Sequence, residues 1–157
     1  MICKFRSSVP LLALPLLLTL CTTPVHAANA DEPLPDAQTI NQLEIRAQQA
    51  NPRDQCFLYV QLVHTLTELA GKQMLDGDTA GASATLNKVA HYVALIHLRM
   101  SRDSKRLKNA EMLMHRTTYR LTEYLHLTSG DDHTTLQSTL NQLGQLQDDL
   151  LNQVFNQ

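Results

Sequence analysis

From residue 36 to the end of the chain, apolar residues recur at intervals of three and four. No stretch alternates β-branched or aromatic residues with polar ones, and no proline follows Pro52. That is the period of amphipathic helix, uninterrupted by its strongest breaker. The few breaks are easy to place. Asn51-Pro52 offers a cap and a first-turn proline, with Asp54 suited to the positive helix start. Asp76-Gly77-Asp78 and Ser129-Gly130-Asp131-Asp132 each pair a glycine stop with an aspartate cap. The segment 101–104 is a weaker break, polar but without Gly or Pro. The pattern predicts a short helix over 36–50 and four long ones over 52–76, 78–100, 103–128 and 131–155.

Each long helix carries an apolar stripe. The first has Cys56, Val60, Val63, Thr67, Ala70 and Met74, widened by Leu58, Leu62, Leu66 and Leu69, so it is expected to be the most buried. The second has Leu86, Val89, Val93, Ile96 and Met100. The third has Leu107, Ala110, Met114, Thr117, Leu121, Leu125 and Thr128. The last has Leu136, Leu140, Leu143, Leu150 and Val154. Four such helices joined by short turns predict an all-α, up-down antiparallel four-helix bundle with an additional short N-terminal helix. The competing layout is a short TPR-like helical array, suggested by the Gly-Asp turn and spaced Ala and Leu of 69–95. Only one such unit is visible, and stacking wants about three.

Ahead of this body lies a different composition. Lys4 and Arg6 precede an apolar run over 9–21, and Val25 and Ala27 frame a small-residue cleavage site. The expectation is a signal peptide over 1–27, a disordered tether over 28–35 containing Pro33 and Pro35, and one helical domain over 36–157. Cutting after Ala30 also satisfies the small-residue rule, with Ala28 and Ala30. Cys21 raises lipidation, but Leu20 ahead of it is not the small residue that processing needs. The apolar run is too short for a stable transmembrane span. The working protein is therefore expected across the cytoplasmic membrane, periplasmic or extracellular.

Cleavage changes the charge. Thirteen basic residues become eleven once Lys4 and Arg6 leave, against fifteen acidic ones, a formal charge of −4 with neutral histidines. That balance argues against general nucleic-acid or anionic-membrane binding. Cys3 and Cys21 leave too, so Cys56 has no disulfide partner within the chain. It lies on the apolar stripe and is expected to be an inert core thiol.

Candidate chemistry is thin. There is no glycine-rich phosphate loop, nucleophile elbow, zincin motif or C-x-x-C-H haem site, which argues against an enzyme. No cofactor is expected. Glu123 and His126 form a single E-x-x-H on the face opposite the core stripe, together with Met112, Arg116 and Tyr119. Their expected role is a solvated neighbour pair. His64 with Glu68, and Glu111 with His115, repeat the i,i+4 spacing. These six residues are the donors of an alternative reading, a metal- or small-ligand-binding bundle. Met112 and Met114 flank His115 in sequence but fall on different faces, which makes a shared soft-metal site awkward. His97 flanks the core stripe and reads as a satisfied, half-buried histidine.

The charge anomaly is the turn 99–108, with Arg99, Arg102, Lys105, Arg106 and Lys108 against Asp103 alone. Several of these cations sit near a helix start and oppose its dipole. The functional expectation is a non-enzymatic binding or interaction protein that docks an anionic envelope component or acidic protein through this turn. The last helix is rich in Gln and Asn and poor in charge, which adds self-association as a further expectation.

Overall fold

The structure is a computed structural model, and it describes residues 35–156 except Arg102 and Ser129; the side chains of Asp131 and Asp132 are also left aside. The expected signal peptide and most of the tether lie outside the described residues. Five α-helices and no strand are present among the described residues: α1 (Ala37–Gln49), α2 (Pro52–Leu75), α3 (Thr79–Arg99), α4 (Leu107–Leu127) and α5 (Asp131–Phe155). None of these helices is long and apolar enough to cross a membrane.

The boundaries follow from local chemistry. Asp36 caps α1 by accepting from the Thr39 amide at 2.7 Å. Asn51 caps α2 through the amides of Arg53 and Asp54, with Pro52 in the first turn. Gly77 ends α2 at φ +80°, where the Asp78 amide reaches the Gln73 carbonyl and the Gly77 amide that of Met74. Asp78 then caps α3 through the Gly81 amide at 2.9 Å.

The third long helix starts later than expected, at Leu107 rather than 103. Residues 103–106 belong to the turn instead. Ser104 is buried and accepts from the Ser101 amide, and Arg106 takes the left-handed conformation at φ 61° that usually belongs to glycine.

The all-α bundle is as expected; the relation between its two halves is not. α2 and α3 form an antiparallel hairpin, with Arg99 on Gln55 at one end and Thr85 on Gln73 at the other. α4 and α5 form a second hairpin across the turn at Gly130. Between hairpins, α2 packs on α4 and α3 on α5, while α3 and α4, consecutive in the chain, do not approach each other. Along the first contact His64 meets Thr117 and Glu68 meets Arg120; along the second His97 meets Asp149. Each partner lies 52 or 53 residues further on, so both contacts join parallel helices. The neighbours are therefore antiparallel only within each hairpin. Two hairpins stack side by side in the same sense, a relation shared with helical arrays.

This ordering requires the α3–α4 connection to cross the start of α2. It does so with the Lys105 amide on the Arg53 carbonyl at 2.7 Å. α2 touches α1, α3 and α4, and is the most buried helix, as its double stripe implies. Leu62, Leu66, Val63, Leu86, Ile96, Met114, Leu121, Leu136, Leu143 and Leu146 fill the centre. α1 lies along α2 and is tied to α3 by the Tyr92 hydroxyl, which donates to Glu44.

Candidate functional site

At the end of the bundle where α2 and α4 begin, the structure gathers most of the sequence-selected cations, each held differently. Arg99 closes α3 and donates through Nη1 to Gln55 Oε1 at 2.7 Å, so it complements the negative helix end and is absorbed by the fold. Lys105 stands 3.5 Å from Asp54. The Arg106 guanidinium lies over the Phe57 ring, 5.2 Å from its centroid. Lys108 is exposed, and Arg102 is outside the described residues. Arg53, which sequence reasoning missed, joins them and donates through Nε to the Asp103 carbonyl at 2.9 Å. Its signal was weak: a lone cation directly after a helix-starting proline.

The electrostatics of this end are lopsided. The Asp54 carboxyl is held below its ordinary range, chiefly by the Asn51 amide and further by Lys105. Asp54 thus serves α2. The start of α4 has no side-chain cap and no acidic residue in its first turn. Because α2 and α4 run parallel, two positive helix ends emerge side by side among Arg53, Lys105, Arg106 and Lys108.

Towards the other end of the same α2–α4 contact lies a polar cluster that sequence reasoning saw only in fragments. Arg120 presents Nε and Nη2 to the two oxygens of Glu68 at 3.3 and 3.4 Å, and Nη1 to Glu123 at 2.6 Å. Tyr124 donates its hydroxyl to Glu68 at 3.0 Å and accepts from Arg120 at 3.1 Å. Hydrogen bonding to Glu68 keeps the guanidinium firmly charged, above its already high ordinary value. Burial, with Glu68 adding to it, pushes the Tyr124 hydroxyl up. The expected Glu123–His126 pair is replaced by Glu123–Arg120; His126 is exposed. Glu68 likewise bonds across to α4, to Arg120 and Tyr124.

Those partners bear on the alternative donor set. Glu68 and Glu123 do converge, but on a guanidinium that occupies the space between them. His64 stands one turn away with Nδ1 on Thr117 Oγ1 at 2.9 Å. Glu111 is half-buried, and His115 Nδ1 meets the Gln147 amide at 2.9 Å. No three His, Cys, Asp or Glu residues come together among the described residues.

Thr117 donates its hydroxyl to the Leu113 carbonyl at 2.8 Å and also meets His64 Nδ1 at 2.9 Å, a contact whose direction depends on the imidazole tautomer. Cys56 is wholly buried and burial pushes its thiol up to about 11, the state of a core residue and not a nucleophile. His97, more exposed than expected, pairs with Asp149 at 3.1 Å.

No protein-family model, curated protein or solved structure matches this chain.

Proposed function

We propose that this chain is an exported, non-enzymatic binding module that docks an anionic partner at the end of the bundle where α2 and α4 begin. One observation carries the reading: two parallel helix starts stand side by side among four cations, and one of those starts has no cap and no acidic residue. Cations there oppose the local dipoles, so fold stability is a poor reason for them. An anionic partner complements both the side chains and the helix ends. Arg99 drops out of the surface because Gln55 occupies it. Export rests on Lys4, Arg6, the apolar run over 9–21 and the Val25/Ala27 site.

Retention on a sulfated-polysaccharide resin, read as the salt needed for elution, tests the docking. Lys105→Gln combined with Arg106→Gly should abolish retention, while Lys88→Gln, an exposed cation on α3, should leave it unchanged. An equal loss per charge removed in both would mean that net charge, not this surface, governs retention. N-terminal sequencing of the mature protein tests export: a start at Ala28 is expected, and a lipid-modified start at Cys21 would overturn the soluble form.

A further inference from the structure

α4 carries a second stripe on the side away from its core residues. Lys108, Met112, His115, Tyr119 and His126 share this exposed face, with spacings of four, three, four and seven. Outer faces of bundle helices are ordinarily filled with small polar or charged residues. Here the middle of the face holds Met112 at 60% exposure and Tyr119 at 64%. Spacing of four and three around large side chains is the seam of a helix that packs against another helix. Among the described helices, α4 packs on α2 and α5.

The order of residues along this face identifies the occupant. Lys108 is a cation near the start of α4, and Glu123 a half-exposed carboxylate near its end. Met112 and Tyr119 lie between them. Now place a two-fold axis across the helix between residues 115 and 116. A second α4 laid antiparallel then sets Lys108 opposite the partner's Glu123 and Met112 opposite the partner's Tyr119, and the same two pairs recur on the other side of the axis. These two pairs are complementary, one in charge and one in apolar shape, and a thioether beside an aromatic ring is a favourable contact. A parallel second copy would instead set like against like.

We infer that α4 is a self-association surface, through which two copies of this chain pair antiparallel about a two-fold axis near residues 115 and 116. The matched segment spans about 22 Å of helix. One helix pair of that length is smaller than a standard interface of roughly 800 Å² per partner, so the dimer is reversible and concentration-dependent. This inference does not rest on the anionic docking. It uses the length of α4, whereas the docking surface is its first turn together with α2, and Lys108 is intact in the docking variants.

Sedimentation equilibrium of the chain over a range of concentrations tests it. Wild type should pass from monomer to dimer, and Tyr119→Ser should remain monomeric. Lys108→Glu faces the partner's Glu123 with a like charge twice per dimer and should weaken association roughly tenfold. Adding Glu123→Lys should restore association to within a few-fold. Because Glu123 also serves Arg120, a second measurement avoids it. Chains carrying Met112→Cys and chains carrying Tyr119→Cys are mixed and oxidised, with the buried Cys56 out of reach. The mixture should form disulfide-linked pairs. Met112→Cys alone should not, since the two copies of that position stand roughly 10 Å apart along the helices. A wild-type chain that stays monomeric at every concentration would overturn the inference. So would a mixture that cross-links no better than either chain alone.

Discussion

Gly71→Ala probes the α2–α4 contact more sharply than any other single change. Gly71 is a buried glycine in the interior of a long helix, where alanine would ordinarily stabilise by about 1 kcal/mol. Here a methyl group would lie 2.1 Å from Cε2 and 2.2 Å from Cζ of Tyr124. The ring must move by more than an ångström. It is buried, and its hydroxyl is held by Glu68 and Arg120, so moving it disturbs both bonds. Overpacking costs about 1–3 kcal/mol. Loss of hydrogen bonds to partly hydrated charged groups adds about 2 kcal/mol. Against a gain of about 1 kcal/mol in helix propensity, the net destabilisation is about 3 kcal/mol. In a domain of this size that lowers the melting temperature by roughly 10 °C. The measurement is urea or thermal unfolding followed by circular dichroism, made in two backgrounds. With Tyr124→Ala already present the clash is gone, and Gly71→Ala should change sign and stabilise by up to about 1 kcal/mol. A neutral or stabilising Gly71→Ala in the otherwise native chain would refute the packing of Tyr124 on α2.

Three further outcomes follow from single residues. Val63→Asp places a carboxylate at a fully buried position and should cost about 4 kcal/mol or more, with unchanged unfolding midpoints marking Val63 as outside the core. Arg106→Gly relieves a left-handed residue, worth about 1–2 kcal/mol, and loses a cation–π contact worth about 0.5–1 kcal/mol, so thermal stability should hold or rise; a clear loss would mean that the Phe57 contact outweighs the relief of the backbone. Cys56 should resist thiol reagents in the native state and react on unfolding. Its folded value of about 11 exceeds the ordinary 9.0, so the unfolded chain loses that proton first. Its contribution to stability is complete below pH 9 and falls as pH rises towards 11, a trend that Cys56→Ala should remove.

The helices were legible because their ends are written in short-range chemistry. Asn51-Pro52 and Asp76-Gly77-Asp78 cap and stop within a turn, and the observed ends fall within a residue of those expected. The start of α4 was missed because an arginine takes the left-handed turn there, and residue type gives no warning of that. The parallel stacking was not legible. Apolar stripes state that a helix has a buried face, not which helix covers it, and the crossing of α2 depends on a backbone hydrogen bond between Lys105 and Arg53. The Glu68–Arg120–Tyr124 cluster joins residues more than fifty positions apart, beyond any local spacing rule. One signal did exist. Gly71, an unforced glycine inside a strong helical pattern, marked a place where something large comes close.

The stacking of two hairpins has a consequence for how the chain folds. Each hairpin closes across a short turn, so its contacts are local and form early. The side-chain contacts between hairpins span nearly the same stretch of chain, 52 to 56 residues. The entropy of closing that loop is therefore met once, by whichever pair docks first, and later pairs along both contacts form with little further loss. Folding should proceed as two quick local steps followed by one concerted docking. The docking step sets the observed rate. Tyr124 and Arg120, at the far end of α4 from the connection, should then influence unfolding more than refolding.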